Sequence, residues 1–389
     1  MANVYLFSAD TKPMTGGVAE FTHQIAKALK DLDWFGALVT PHVQSDELPY
    51  PVWAPAPPSA LTRTDESEMR SKVRALWMWG ALVQSGMRIA LRGARGASPV
   101  LLMTYVDELF GPWVLRFCEA MGIRLWVLFH GVEIIRLQER RPDLLRQAHA
   151  QAERLFFNSE ATRELFVERT GLPPSSSDIL HPALDFERLN ATKPAPLPVD
   201  IPTDATVFSS VCRLVERKGL HLAVRAFREA RAEGELENAV YLIGGKGPEL
   251  DRLRALAGPE EERSIFFLGY LSEGEKKTLL SRSTAFLHPN YSREETDFEG
   301  FGISLVEAAW FGCGVLGGNQ GGVQEAIGPL PGCELAATED ADRAVPQIRQ
   351  FIEAHAGVAG TPHERSQVQR LIRERLRLQI QLHAFLPPQ

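Results

Sequence analysis

The sequence alternates short, fully apolar segments with longer amphipathic ones, and this alternation restricts the fold more than any other feature. In the first half, residues 4–8, 100–104, 125–129 and 155–157 are apolar throughout or nearly so, and 19–29 has the spacing of an amphipathic helix. A strand that is apolar on both faces needs helices on both sides of its sheet. Alternation of such strands with helices therefore predicts a parallel α/β sheet.

A proline-rich segment interrupts the alternation near the middle of the chain. Four of the ten residues from Lys193 to Pro202 are proline, which favours an extended linker over a helix or a central strand. The alternation then resumes, and the predicted strands of the second half are 207–211, 239–244, 265–268, 285–288 and 314–317. The predicted helices are 219–232, 248–257, 273–282, 303–311 and a segment that starts at Val323.

These patterns predict two Rossmann-like domains. The first covers residues 1–190, a linker covers 191–203, the second domain covers 204–365, and a charged helical segment covers 366–389. A chain of 389 residues is long enough to build two such cores. Ligands of α/β sheets bind at the carboxyl ends of the strands, so we expect the site there, in the cleft between the domains.

Composition limits the compartment and the partners. The formal charge of −7 argues against nucleic-acid binding. The four cysteines have no metal-ligand or redox spacing, which indicates reduced thiols in a cytoplasmic protein. The N-terminal residues lack the basic and apolar regions of a signal peptide, and no apolar run is long enough to span a bilayer. We therefore expect any membrane contact to be peripheral.

The segment from Glu299 to Glu307 carries the strongest functional signal. Two carboxylates bracket a turn, with glycines at 300 and 302, that leads into an apolar helix from Ile303. Carboxylates accept hydrogen bonds from sugar or ribose hydroxyls, and a helix N-terminus attracts phosphate. This combination of groups suits a nucleotide-sugar, although two solvated acids at a capped helix would give the same pattern.

Basic, glycine-rich and histidine-containing turns follow other predicted strands. Arg213 and Lys218 could neutralise a diphosphate at a strand end, or they are solvated cations on a loop. Gly245 lies in a glycine-rich turn that could equally be an ordinary strand–helix connection. His130 ends a predicted strand, where α/β active sites lie, although a lone histidine is more often structural.

In their order along the chain, these motifs resemble those of the retaining glycosyltransferases of family 4, which have the GT-B fold. The resemblance rests on a Glu-x7-Glu signature at 299–307, an Arg-x4-Lys pair at 213–218, a Gly-x-Gly-Pro turn at 245–248, and Gly-Gly turns at 16–17 and 321–322. It implies an α/β architecture in which two Rossmann-like domains face each other across a cleft. It also implies that a C-terminal helix crosses back to the first domain.

The resemblance also implies roles for individual residues. Glu299 and His130 would be the catalytic residues at the donor sugar, Arg213 and Lys218 would bind the diphosphate, and Glu307 would accept from the ribose hydroxyls. The remaining residues expected to bind the donor are Gly16, Gly17, Gly245, Leu271, Phe301, Gly302, Ile303 and Leu305. No metal and no cofactor are expected, because the cations replace a metal beside the leaving diphosphate.

The activity expected from the resemblance is transfer of a sugar, with retention, from a nucleoside-diphosphate sugar to a sugar, glycolipid or other hydroxyl acceptor. A role in cell-surface polysaccharide or glycoconjugate synthesis follows from the same resemblance. The alternatives are a nucleotide-sugar epimerase or hydrolase of the same architecture, a non-catalytic sugar-nucleotide-binding protein, and a glycosidase that uses Glu299 and Glu307.

One basic segment suggests a peripheral contact with the inner face of the membrane. Residues 68–105 contain six basic residues and one acid, interleaved with two tryptophans. A basic helix of this kind can lie on an anionic bilayer, near a lipid-linked acceptor. The alternative is a helix that packs on the sheet and keeps its cations in solvent.

Overall fold

The computed structural model describes residues 4–10, 16–41, 48–53, 80, 83–91, 99–173, 176–234, 236–292, 297–356 and 362–386. The chain divides into two compact units. The first unit contains residues 1–183 together with 378–389, and the second unit contains residues 184–377. Each unit is built on its own parallel sheet, as the alternating pattern predicts.

The first unit has a seven-stranded sheet in the order β3-β2-β1-β4-β5-β6-β7. Its strands are β1 (Val4–Phe7), β2 (Phe35–Val39), β3 (Val52–Trp53), β4 (Val100–Met103), β5 (Arg124–Phe129), β6 (Arg154–Phe157) and β7 (Ser177–Ile179). Its helices before the chain leaves the unit are α1 (Gly17–Asp31), α2 (83–91), α3 (Gly111–Met121), α4 (Val132–Arg140), α5 (Pro142–Gln151) and α6 (Glu160–Thr170). Every pair of neighbouring strands is parallel.

The second unit has a six-stranded parallel sheet in the order β10-β9-β8-β11-β12-β13. Its strands are β8 (Thr206–Val211), β9 (Ala239–Gly244), β10 (Ile265–Gly269), β11 (Ala285–His288), β12 (Gly314–Gly318) and β13 (Cys333–Ala336). Its helices are α7 (Phe186–Ala191), α8 (Leu220–Ala232), α9 (Leu250–Ala257), α10 (Glu273–Arg282), α11 (Ile303–Trp310), α12 (Val323–Ile327), α13 (Ala341–His355) and α14 (Pro362–Arg375). The expectation of two Rossmann-like parallel-sheet domains is confirmed.

The strands are buried in the way their apolar sequences predict. All six residues of β9 are buried, and so are all four of β1. Helices cover both faces of the second sheet: α8 and α13 pack on one hydrophobic cluster, and α11 packs on another. Because both faces are covered, a ligand can reach the sheet only at the ends of its strands.

The proline-rich segment expected as a linker at 191–203 belongs wholly to the second unit. Leu197, Val199 and Ile201 pack against a hydrophobic cluster of that unit, and the Ala195 amide donates to the Gly274 carbonyl. The segment has no helix or strand beyond Ala191, in keeping with its proline content.

The end of the chain returns to the first unit. Helix α14 contributes Val368 and Ile372 to a core of the second unit, whereas α15 (Leu378–His383) contributes Leu378 and Leu382 to the core of the first. The Gln381 side chain bonds to both backbone polar groups of His181. The expected crossing of the C-terminal helix is therefore confirmed.

Most of the basic segment at 68–105 lies outside the described residues. In its described part, α2 leaves Val83, Met87 and Leu91 exposed, and the Arg88 guanidinium lies 5.6 Å from the ring centre of Trp53. None of the helices in the described ranges has both the length and the apolar character needed to cross a membrane.

Candidate active site

The first element of the site is the turn that follows β8. The chain forms a short 3₁₀ helix at Glu216–Lys218 and enters α8 at Leu220 through Gly219. Gly219 has a φ of +66°, and a Cβ there would lie 1.8 Å from the carbonyl oxygen of Pro289. Only glycine fits this close approach. The contact fixes the basic turn against the segment that leaves β11.

A cluster of four charges forms at this edge of the sheet. One carboxylate oxygen of Glu299 lies 2.5 Å from Arg217 Nη1 and 2.5 Å from Lys218 Nζ. Arg217 also contacts Asp297, and the distance between Arg217 Nε and the Asp297 carboxylate is 2.8 Å. Glu299 and Lys218, predicted as site residues from separate motifs, are thus in direct contact.

The cluster keeps Glu299 ionised. Burial acts to raise the pKa of its carboxyl, but the positive charges of Lys218 and Arg217 outweigh burial and lower the pKa to about 2. A carboxylate of this kind cannot donate a proton near neutral pH. It can accept hydrogen bonds and stabilise positive charge.

His288 and Asn290 lie at the end of β11, beside the charge cluster. The His288 side chain is fully buried, and burial together with the charge of Lys218 lowers its pKa to about 3. Its Nδ1 lies 3.2 Å from the Ser304 hydroxyl, and its Nε2 has no partner among the described residues. Asn290 accepts from the Gly318 amide and so joins the ends of β11 and β12.

The late Gly-Gly turn at 321–322 packs on Glu299. The Gly322 amide donates to the Glu299 carbonyl over 2.9 Å. Gly321 has a φ of +64°, and a Cβ there would lie 2.3 Å from the same carbonyl oxygen. The turn therefore holds the backbone of Glu299.

The start of α11 presents backbone groups and not the predicted side chains. Gly302 precedes the helix with a φ of +90°. Phe301 and Leu305 are buried in the hydrophobic core of the unit, and the Leu305 amide already donates to the Gly302 carbonyl. Ile303 is half-buried against the same core. Any role of these residues in binding belongs to the backbone of the first turn, where amides lack helical partners.

Glu307 lies one turn further along α11 and is paired with a residue that the sequence did not indicate. Lys276 Nζ, from α10, lies 3.2 Å from each oxygen of the Glu307 carboxylate. A second carboxylate, Glu273, lies 3.4 Å from the same nitrogen. Burial acts to lower the pKa of Lys276, but the charges of Glu307 and Glu273 outweigh it and raise the pKa.

Arg213 does not join the charge cluster. Its side chain is exposed, and no ion pair to it occurs within the described ranges. Its loop packs tightly on the glycine-rich turn: Gly245 has a φ of +136°, and a Cβ there would lie 1.8 Å from the Cys212 carbonyl oxygen. Leu271 turns its side chain into the neighbouring hydrophobic cluster.

The other predicted site residues lie in the first unit, where hydrogen bonds hold both the ring and the backbone of His130. Its Nε2 lies 2.7 Å from the Thr104 carbonyl oxygen, and its backbone amide donates to the buried carboxylate of Glu133. A carbonyl oxygen only accepts, so Nε2 carries a proton. Nδ1 is left without a hydrogen-bond partner in the part of the chain that the structure describes.

The Gly-Gly loop precedes α1. Gly17 is the first residue of α1, and Gly16 caps it with an extended backbone. A Cβ at either glycine would meet no atom within 4 Å. The described structure thus gives no steric reason for glycine at these positions, and an approaching ligand would be a reason.

Arg217, Asp297, His288 and Lys276 lie in contact with the predicted site residues or beside them, and the sequence did not predict them. Arg217 precedes the predicted Lys218 and occupies one of the four unspecified positions of the Arg-x4-Lys pair. His288 ends a predicted strand, as His130 does, and that position was the signal available for it. In the described ranges, no group of three or more His, Cys, Asp or Glu side chains could hold a metal ion.

Comparison with known proteins connects these features with one family. A family model described as Glycosyltransferase Family 4 matches residues 15–188, and one described as Glycosyl transferases group 1 matches residues 197–375. The two matches cover most of both units and contain every predicted site residue.

Curated relatives match over part of their length. The chain is 26% identical over 220 residues to the putative colanic acid biosynthesis glycosyltransferase WcaL of Escherichia coli K12, covering 55% of this chain and 51% of the relative. It is 32% identical over 181 residues to a GDP-mannose-dependent alpha-(1-6)-phosphatidylinositol monomannoside mannosyltransferase of Mycobacterium tuberculosis, covering 44% of this chain and 45% of the relative. The chain thus spans about half the length of these relatives.

A solved structure matches the whole fold. HepE of Anabaena, in complex with UDP and glucose, has a TM-score of 0.68 to this chain at 16% identity, covering 99% of both chains. At this identity the likeness shows the fold alone. With the two family models and the charge cluster at the edge of the second sheet, it leads to one conclusion: this chain belongs to glycosyltransferase family 4 and has the GT-B fold.

Proposed function

We propose that the protein is a retaining, metal-independent glycosyltransferase that moves a sugar from a nucleoside-diphosphate sugar to an acceptor hydroxyl. The observation that carries the proposal is the ionised, buried carboxylate of Glu299, held by Lys218 and Arg217 at the carboxyl edge of the second sheet. In this reading Lys218 and the exposed Arg213 bind the diphosphate. Their charge stabilises the negative charge that develops on the leaving group.

Glu299 is proposed to orient hydroxyls of the donor sugar and to stabilise positive character at the anomeric carbon. Its pKa of about 2 supports this role, because the carboxylate stays charged throughout the working range of pH. The same value weighs against a glycosidase that would use Glu299 as its acid, since that acid must carry a proton. His130 is proposed to contact the donor sugar through Nδ1, the ring nitrogen that Thr104 leaves free.

The donor and acceptor classes follow from the relatives, as proposals. WcaL is named for colanic acid biosynthesis, which supports a role in cell-surface polysaccharide or glycoconjugate synthesis. HepE binds UDP, and the mycobacterial relative is GDP-mannose-dependent, so UDP-sugars and GDP-sugars are the donors to test first. We propose a cytoplasmic location with peripheral contact at the inner membrane face through residues 68–105.

The test compares Glu299→Gln with the wild-type chain. Donor turnover is measured as nucleoside diphosphate released from UDP-sugars and GDP-sugars, in the presence of a chelator. We expect the substitution to lower turnover by about a hundredfold or more, as loss of transition-state charge stabilisation does. Affinity for the nucleoside diphosphate should stay the same or rise, because Lys218 is released from its carboxylate partner.

Glu260→Gln is the matched control. Glu260 also pairs with an arginine of the second unit, Arg231, over 2.8 Å, but it lies before β10, at the opposite end of the strands. This variant should turn over donor at the wild-type rate. Equal turnover by Glu299→Gln and the wild type would overturn the role of Glu299, and failure to bind any nucleotide would overturn the donor site.

A further inference from the structure

Glu307 is the one charged residue in an otherwise nearly apolar helix. The sequence of α11 is Ile-Ser-Leu-Val-Glu-Ala-Ala-Trp, and the Glu307 side chain is 12% exposed. Placing a carboxylate in such a helix costs free energy, and a buried ion pair is often no more stable than apolar residues of the same size. Folding stability therefore gives no sufficient reason for the pair that Glu307 makes with Lys276.

The geometry of the pair fixes the direction of the carboxylate. Lys276 Nζ lies at the same distance, 3.2 Å, from both oxygens of Glu307, so the ammonium group spans the two oxygens from one side. An ionised carboxylate offers about four lone-pair positions. The lysine takes one on each oxygen and leaves the others open as acceptors. No other donor to these oxygens occurs in the described part of the chain.

Lys276 is itself held on a rigid segment. Ser272 and Glu275 form a capping box that fixes the first turn of α10. Thr278 then donates to the Ala195 carbonyl, and Lys277 donates to three backbone carbonyls between 189 and 192. The Lys276 side chain is only 15% exposed, and its ammonium also lies 3.4 Å from Glu273, so it is held between two carboxylates. It therefore acts as the fixed member of the pair.

The position of α10 relates Lys276 to the nucleoside. Leu271, which the family resemblance places among the residues that bind the donor, lies just before α10, and the same resemblance assigns Glu307 to the ribose. We propose that Lys276 is a positioning residue for ribose recognition: it orients the Glu307 carboxylate so that the open lone pairs accept from the ribose hydroxyls. This inference rests on the proposed donor site.

The test measures how strongly the protein discriminates a ribose from a deoxyribose. Binding of UDP, GDP and their 2′-deoxy and 3′-deoxy forms is measured by calorimetry on the full chain. The wild type should bind one deoxy form at least about tenfold more weakly, because a site built to bond a hydroxyl rejects the analogue without it. The ratio compared is the dissociation constant of the deoxy form divided by that of the parent nucleotide. In Glu307→Gln and in Lys276→Met this ratio should fall towards one. The double variant should lose nothing further.

Lys277→Met is the matched control. It removes the same charge from the next position of α10, and its bonds go to backbone carbonyls and not to Glu307. It should lower the unfolding temperature and keep the wild-type ratio. Lys276→Arg, which keeps the charge, should restore part of the ratio, and Lys276→Gln serves if the methionine variant does not fold.

The outcomes separate the inference from the proposed function. If the wild type binds UDP or GDP but Lys276→Met keeps the full discrimination, Lys276 is a structural tether between α10 and α11, and the inference is wrong. If the wild type binds a nucleotide without discriminating its deoxy forms, the inference is wrong as well. If the wild type binds neither nucleotide, the proposed donor site fails and the inference fails with it.

Discussion

Glu299 owes its charge state to two neighbours in the turn after β8. Removing Lys218 leaves Glu299 and Asp297 to share Arg217 within the cluster, and the net buried charge that results costs up to about 3–5 kcal/mol. Lys218→Met should therefore destabilise the second unit even though Lys218 is proposed as a ligand of the diphosphate. Loss of nucleotide binding in such a variant has two causes, and stability must be measured beside affinity.

His288 gives the pH dependence of folding a defined direction. Burial, and then the charge of Lys218, lowers its pKa from 6.5 to about 3. Between these values the unfolded chain binds a proton that the folded chain does not, so stability should fall as the pH drops from 6.5 towards 3. His288→Gln should therefore reduce the slope of the unfolding free energy against pH, measured with urea between pH 6.5 and 4.5. The reduction should be up to about 1.4 kcal/mol per pH unit.

The measurement compares slopes and not absolute stabilities, because the substitution also removes the contact with Ser304. Glu299, whose pKa is lowered to about 2, adds its own loss only below its ordinary value of 4.5, which lies at the edge of that window. An unchanged slope in His288→Gln would assign the acid sensitivity to another group.

Sequence predicted individual site residues correctly where both members of a contacting pair belong to recognisable motifs. Lys218 and Glu299 were placed in one site through separate motifs, and the structure brings them into contact. Arg217 and Lys276 were not predicted, because no motif marks them and their partners, 82 and 31 residues away along the chain, do not indicate them either. A single sequence gives the spacing of residues but not which loops meet, so these pairs appear only in the fold.

At the scale of elements, the sequence predicts the bounds of strands and helices best in the interior of a sheet and its packed helices. The predicted bounds 239–244, 273–282 and 285–288 are those of β9, α10 and β11. The strands that were missed are Phe35–Val39, Val52–Trp53, Ser177–Ile179 and Cys333–Ala336. Three of these lie at sheet edges, where a strand is short and partly polar because only one neighbour covers it.

The missed strand β2 has a different cause. It contains Gly36, and a glycine inside an apolar run weakens the strand pattern. The structure explains the residue: a Cβ at Gly36 would lie 2.5 Å from the ring of Tyr5 on the neighbouring strand. The glycine makes room for that ring, a packing reason that the local sequence does not show.

Gly219 sets a testable requirement on the basic turn. Gly219→Ala should destabilise the second unit by more than the roughly 1–2 kcal/mol that left-handed backbone costs an ordinary residue, because its Cβ also meets the Pro289 carbonyl oxygen. It should also weaken nucleotide binding, since relief of that contact moves the turn that carries Lys218. Urea unfolding and calorimetry with UDP and GDP measure the two effects.

Gly332→Ala separates the close contact from the backbone strain. Gly332 has a φ of +73°, close to that of Gly219, and a Cβ there would meet no atom within 4 Å. It should lose only the cost of the strained backbone and keep nucleotide affinity. Equal destabilisation of the two variants would show that the Pro289 contact relaxes without cost.

At the scale of the whole molecule, the sequence pattern predicts two sheets, and the family resemblance implies the return of the last helix. Boundaries are harder to predict, because prolines indicate where the chain is extended and not which core it packs on. The segment 193–202 is extended, yet its apolar residues cover the second unit, and the units change at Leu184. Leu197 and Val199 are partly buried because of tertiary packing, which cannot be predicted from the composition of the segment.

The returning helix α15 should be required for the stability of the first unit. Leu382 is 1% exposed within the core of that unit, so Leu382→Ala should cost about 2–5 kcal/mol in urea unfolding. Ile380→Ala, on the same helix but 57% exposed, should change stability by no more than about 0.5 kcal/mol. Similar losses in both variants would contradict the packing of α15 on the first unit.

The assignment of residues 378–389 to the first unit also orders events during synthesis. The ribosome releases residues 1–183 long before it makes Leu378 and Leu382, which complete their core. The first unit therefore receives its last residues only after the second unit has been synthesised. The second unit has its whole sequence once residue 377 has emerged. A stop codon at position 378 would thus damage the part of the protein that was translated first.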